Sequence, residues 1–240
     1  MEDIFLSEHV YFCGRGNAIV FLNLENDEYC MIRGDQAQMF RELMFETDNA
    51  DAVENPKKIA SCRFKNAENS LKSLFSGGLL TKDSRHGKTV APTEFNMPCR
   101  SLLDPDDVTS ADIRISHVAR FLTASLTASL QLRFWSIQRT VLAVQNRKIH
   151  ADRQHPLDVE RARKLVHIFS RLRPLYPVDA LCLFNSLSLI EFLARYKIYP
   201  SWVFAVQFEP WRAHCWVQHG EISFNQRIEE AVDYVPIMAV

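Results

Sequence analysis

Between Ala180 and Phe224 the chain passes from one long apolar helix directly into three β-rich runs, and this order restricts the fold more than any other feature. Ala180–Arg195 is helical in composition, and Pro174 and Pro177 close the segment before it. Trp202–Phe208, Ala213–Gln218 and Glu221–Phe224 read as strands, the last two separated by the turn signal His219-Gly220. Upstream, Ala111–Asn146 is long enough for two helices or one bent helix, and a further helix opens at Pro156 and Asp158 and reaches about Leu172. Helices first and then a run of strands is an α+β pattern.

The first 84 residues form a separate small unit in this reading. Ile19–Leu24 and Glu28–Ile32 are strand-like around a turn at Asn26-Asp27. Asp35 caps a helix running to about Phe45, with Met39, Phe40 and Leu43 on one face. Short helices follow over Pro56–Cys62 and Ala67–Phe75, the latter with Leu71, Leu74 and Phe75 at helical spacing. Gly77-Gly78 stops it before the strand Leu79–Thr81. This is the plan of a small winged helix over residues 1–84. Residues 85–108 carry Gly87, Pro92, Pro98 and Pro105 with little periodicity and read as a linker to a second domain at 109–240.

Charge and composition exclude several classes. The chain holds 28 Lys and Arg against 29 Asp and Glu, and its balance is divided. Residues 1–84 carry 9 basic and 14 acidic side chains, and the remainder 19 and 15. A near-neutral chain with an acidic winged helix is a poor nucleic-acid or anionic-membrane binder. With 7 glycines in 240 residues there is little material for a phosphate-binding loop, and Cys13-Gly14-Arg15-Gly16 lacks the rest of such a motif. Val118–Val144 contains Arg120, Arg133 and Arg139 and is too polar to span a membrane. The first residues carry no basic secretory region, and the six cysteines form no CxxC pair. The expectation is a cytoplasmic protein with reduced thiols. Cys182, His214, Cys215 and His219 have no zinc-ligand spacing, so no metal is expected.

Two residues stand out for chemistry. A cysteine nucleophile needs a lowered pKa, a base, and a group that orients the base. Asp179 as N-cap places Cys182 in the first turn of a helix, where free backbone N–H groups stabilise thiolate and can cradle an oxyanion. His214 lies on a strand whose alternation puts Trp216 and Gln218 on its face and Cys215 on the other. By that rule His214 and Cys215 do not both point at Cys182. Asn225 and Gln226 follow the next strand and can fix an imidazole tautomer.

These residues resemble the maturation protease of lasso-peptide biosynthesis, the B protein, a transglutaminase-like cysteine peptidase. Cys182-Leu183, then Ser186-Leu187, match its first motif, and Pro210-Trp211-Arg212-Ala213-His214-Cys215-Trp216-Val217 matches its Pro-aromatic step and Ala-His-x-Trp-Val. Ala205 stands where the family usually has Gly. The resemblance implies Cys182 as nucleophile and His214 as base, on a transglutaminase-like or papain-like fold. The family places Asp after Asn as the third member; here Asn225 is kept but Gln226 replaces the acid, with Asn225 the alternative orienter and Asp233 a substitute acid. Trp211 is the candidate wall of a substrate groove.

Ile19–Ile32 and Gly77-Gly78-Leu79-Leu80 resemble the PqqD-like leader-recognition element, which is fused to the protease in some members. That resemblance implies a leader peptide added as a strand, with contacts at Glu28, Tyr29, Met31, Leu71 and Leu74, residues that otherwise only pack the small core. Together the resemblances imply a leader peptidase that passes the freed core to an asparagine-synthetase-like cyclase. They imply no cofactor in this chain, with any ATP used by the partner or the complex. Two other readings stay open: a leader-binding chaperone with a degenerate catalytic domain, and a Cys-dependent acyltransferase.

Overall fold

The computed structural model describes residues 4–45, 72–93, 95–103, 112–151, 157–176 and 181–240. The chain divides into two compact units, Met1–Thr93 and Glu94–Val240.

In the first unit, β2 (Val10–Arg15), β3 (Ala18–Asn23) and β4 (Glu28–Arg33) form an antiparallel meander in the order β2-β3-β4. The register pairs Phe12 with Phe21 and Phe21 with Cys30. Gly16, at φ 56°, allows the two-residue turn between Arg15 and Ala18. Helix α1 (Asp35–Phe45) buries Ala37 and Phe40 against this sheet. The Phe40 ring meets Phe12 at 5.5 Å and Phe21 at 5.2 Å, both edge to face. A second small sheet brings β1 (Phe5–Ser7) between β5 (Leu80–Thr81) and β6 (Gly87–Lys88). The short helix α2 (Lys72–Ser76) precedes β5, and Gly78 at φ 68° makes the turn after it. The expected helix Pro56–Cys62 and the first part of Ala67–Phe75, Leu71 included, lie outside the described residues.

The second unit is α+β. Helices α3 (Ile115–Phe134), α4 (Ile137–Ala151), α5 (Val159–Leu172) and α6 (Cys182–Ala194) precede most of a five-stranded sheet. Its order is β11-β8-β9-β10-β7, with β7 at Arg100–Ser101, β8 at Ser201–Gln207, β9 at Arg212–His219, β10 at Ile222–Ser223 and β11 at Val235–Ala239. The long helical stretch is therefore two helices, broken at Trp135-Ser136. Helix α6 is the centre of the unit, packed on α3, α5 and β9. Ala124, Ser125 and Ala128 of α3 are buried, and such small side chains let the two helices lie close. Phe169 links α3 to α6 through ring contacts with Phe121 at 5.4 Å and Phe192 at 5.6 Å.

The segment read as a linker contributes a strand to each unit. Gly87–Lys88 pairs with β1, and Arg100–Ser101 runs parallel to β10. Two-residue pairings carry no side-chain periodicity, so composition alone shows only Gly and Pro. β11 is likewise absent from the sequence reading because Pro236 masks it. Its edge position and the register shift after Pro236 are what allow a proline there.

One polar contact inside the helical layer carries a stability prediction. The buried carboxylate of Glu191 accepts two bonds from Arg147 on α4, at 2.6 and 2.8 Å, and one from Gln131 on α3 at 3.2 Å. Arg147→Ala strands that charge and is expected to lower the unfolding free energy by about 3 kcal/mol. A guanidinium titration reads this as a lower midpoint at unchanged slope.

Candidate active site

Helix α6 starts at Cys182 because Leu181 is its N-cap, in extended backbone (φ −70°, ψ 128°) and with no side-chain cap. The expected cap, Asp179, lies outside the described residues. The first intrahelical bond runs from the Asn185 N–H to the Leu181 carbonyl at 3.0 Å. The N–H groups of Cys182, Leu183 and Phe184 therefore have no acceptor within the helix. Their partial positive charge sits at the thiol.

The helix is fastened to the outer edge of β9. Alternate residues of β9 turn their backbone groups away from β8. Val217 donates its N–H to Asn225 Oδ1 at 2.7 Å and accepts from the Phe224 N–H at 2.8 Å. Two residues earlier, the Cys215 carbonyl accepts from Ser186 Oγ at 3.1 Å. Asn225 Nδ2 donates to the same Ser186 hydroxyl at 3.1 Å. Cys182 stands one turn before Ser186 on α6 and takes hydrogen bonds from the Cys215 backbone and thiol and from His214.

This corrects the alternation argument. Register still sets His214 opposite Ala205 and Cys215 opposite Phe204, on opposite faces of the sheet. The Cys182 sulfur, however, lies against the strand's edge rather than over either face. Neighbouring side chains from both faces reach it there.

The electrostatics follow from these contacts. The thiol hydrogen bond from Cys215 does most to lower the Cys182 pKa. Partial burial opposes it, while the His214 hydrogen bond, the Cys215 backbone N–H and the imidazolium charge add to it. The result is a thiol pulled down to about 4. Cys215 moves the other way: burial, then its bond to Cys182 and the thiolate charge, hold it well above the usual thiol value. For His214, burial disfavours the imidazolium but is outweighed by the hydrogen bond and charge of Cys182, with smaller help from Gln226 and the Glu230 carboxylate. Its pKa is raised. Cys182 and His214 thus favour a thiolate–imidazolium pair.

Gln226, not Asn225, holds the imidazole. Its Oε1 lies 2.7 Å from His214 Nε2 and can only accept, so Nε2 carries a proton and Nδ1 is left for Cys182. The reverse amide orientation would aim an N–H at Nε2 and forbid the imidazolium. Gln226 is buried, and Ser101 Oγ donates to its main-chain carbonyl at 2.8 Å. Its Nε2 has no partner among the described residues. Asn225 is spent tying β9 to α6. The exposed Glu230 carboxylate also acts on His214. The imidazole packs 5.2 Å from the Tyr234 ring and 6.0 Å from Trp216.

Residues 124–239 match the family model described as transglutaminase-like superfamily. This stretch is a transglutaminase-like superfamily domain. It contains α6, β8 to β11 and all of Cys182, His214 and Gln226. A low-pKa cysteine on a helix and a histidine on a following strand are suited to cysteine-dependent catalysis, which a transglutaminase-like domain suggests. No curated protein and no solved structure gives a match. Residues 1–93 lie outside the transglutaminase-like match.

The other expected contacts divide. Trp211 is exposed at 44% in the turn before β9, close in sequence to His214. Glu28, Tyr29 and Met31 lie on β4, which among the described residues pairs with β3 alone. Leu74 is 2% exposed and packs in the core of the first unit, so its side chain is not offered to a ligand. Leu71 lies outside the described residues. Sequence reasoning gave Ser186 no role beyond its motif, set Cys215 away from Cys182, and did not reach Glu230 or Tyr234; the Ser186 position one helical turn after Cys182 was the one usable signal. Among the described residues no group of three or more His, Cys, Asp or Glu side chains could hold a metal ion, and no helix is long and apolar enough to cross a membrane.

Proposed function

We propose that this chain is a leader peptidase of lasso-peptide biosynthesis, acting through Cys182, His214 and Gln226. The observation that carries the catalytic part is the line from the Cys182 sulfur to His214 to Gln226 Oε1, at the free N-terminus of α6. The thiolate attacks the carbonyl at the leader–core junction. The N–H groups of the first helical turn, which have no acceptor within the helix, receive the developing oxyanion. His214 Nδ1 then gives its proton to the leaving amine, which is the N-terminus of the core. The leader remains on Cys182 as a thioester until water, deprotonated by His214, releases it. The core passes to an asparagine-synthetase-like cyclase. The chain itself uses no cofactor in this scheme, and any ATP is consumed by the partner or the complex.

Leader capture is assigned to residues 1–84, read as a PqqD-like domain. Support comes from β4, at the edge of its sheet among the described residues, which carries Glu28, Tyr29 and Met31. Strand addition there supplies backbone hydrogen bonds, and side-chain pockets give selectivity. Deleting residues 1–84 is expected to raise the Kd for a leader peptide at least about tenfold, a loss of about 1.4 kcal/mol, in a fluorescence-anisotropy titration. Unchanged affinity would remove the recognition role.

The non-catalytic reading, a leader-binding chaperone, is favoured by one observation: an amide stands where the family has a carboxylate. Incubating the full chain with its precursor separates the two. Cleavage that depends on Cys182 supports the peptidase, and tight binding without cleavage supports the chaperone.

A further inference from the structure

Helix α6 carries Cys182 at one end and leads at the other, roughly 20 Å away, to Tyr196 and an open groove. The groove has a volume of about 560 Å³. Arg114, His117, Arg120, Arg161 and Lys164 line it, and Asp112 is the one acid among the described lining residues. Among the described residues no ion pair neutralises any of its four permanent cations.

Two of these cations, Arg120 and Arg161, are positioned by neutral groups. The Arg120 guanidinium lies 4.6 Å over the Tyr196 ring. Arg161 Nη2 donates to the Tyr196 carbonyl at 3.2 Å, covering the carbonyl end of α6 that would otherwise repel an anion. His117 Nδ1 accepts from the Arg114 N–H at 3.2 Å, so a neutral His117 keeps its proton on Nε2 as a further donor. The twenty-residue helix α3 opens at the groove with no acid in its first turn. Tyr196 is 9% exposed, and its hydroxyl has no partner among the described residues. An aromatic face and a carbonyl fix a guanidinium in place while leaving its charge unspent. Among the described residues Asp112 is the one carboxylate at the groove to offset repulsion among these cations.

We propose that this groove binds a compact, multiply charged phosphate ligand. Three arginines give planar forks that match phosphate oxygens. Four cations around one small groove suit a ligand with several charges within a few ångströms. An acidic peptide spreads its carboxylates along an extended backbone, at about 3.3 Å per residue on alternating sides, and suits the groove less well. No glycine-rich loop is required, so the scarcity of glycine does not bear on such a site. The Tyr196 ring is covered by Arg120, and recognition is of charge rather than of a base.

Titration calorimetry of the full chain with sodium tripolyphosphate tests this without reading cleavage, so it stands or falls apart from the peptidase reading. One-to-one binding with Kd below about 100 μM, weakening with added salt, is expected. Arg114→Gln combined with Lys164→Gln, both exposed positions, is expected to weaken it at least about tenfold. Arg120→Gln replaces that variant if circular dichroism shows it misfolded. Absence of saturable binding, affinity unchanged in the folded variant, or equal affinity for an Asp/Glu hexapeptide would overturn the proposal.

Discussion

Cys182→Ala is expected to lower cleavage of a precursor peptide at least about 10⁴-fold while leaving its binding unchanged. The substitution sits at the first position of α6, half-buried, and alanine is the best helix former, so little stability is at stake. What is lost is the nucleophile and the counter-ion of His214. The imidazole then falls back toward its ordinary pKa, because burial is no longer offset by the thiolate. Single-turnover cleavage and an anisotropy titration on the same preparation separate the chemical step from binding. Unchanged cleavage would remove Cys182 as the nucleophile.

The second large effect is at Gln226. Gln226→Ala leaves His214 Nε2 without its acceptor and is expected to reduce kcat about 10²-fold, with KM little changed. Gln226→Glu keeps the reach of the side chain but puts a carboxylate at Nε2 and removes the unpartnered amide N–H. That charge raises His214 further. The imidazolium then survives to higher pH, so the alkaline limb of the rate profile moves up and kcat rises about tenfold. A Glu variant slower than the parent would mean that the amide is no deficit, and a shift of the alkaline limb downward would contradict the assigned hydrogen bond.

The two halves of the site were unequally legible in the sequence. Cys182 and His214 stand out through the family resemblance, and the helix-then-strands pattern of the second unit follows from apolar runs and turn signals. The place of the sulfur was not legible. Alternation describes where Cβ atoms point, whereas Cys182 approaches β9 at its edge, where backbone groups of Cys215 and side chains of both faces converge. The choice between Asn225 and Gln226 was open for the same reason: neighbours on a chain diverge, and only the fold shows one turned to Ser186 and the other to His214. Long-range pairs such as Arg147–Glu191, and short strands such as Gly87–Lys88, leave no periodic trace. For Leu74 the sequence left leader contact and core packing both open. Its helical spacing marks a buried face, and the core of the first unit is what it faces.

The charge state of Cys182 is the point on which the catalytic reading turns. Alkylation by iodoacetamide as a function of pH, read cysteine by cysteine through peptide mass spectrometry, measures it directly. Cys99 serves as the internal contrast: it is exposed, and its hydrogen bond to Glu221 holds its pKa up, so it stays protonated and slow in mild acid. Expected is Cys182 reactivity that switches on near its value of about 4 and is already at a plateau by pH 6, lost in part when His214 is replaced by Ala. Reactivity of Cys182 that rises only alongside that of Cys99, at alkaline pH and indifferent to His214, would contradict a thiolate–imidazolium pair at this site.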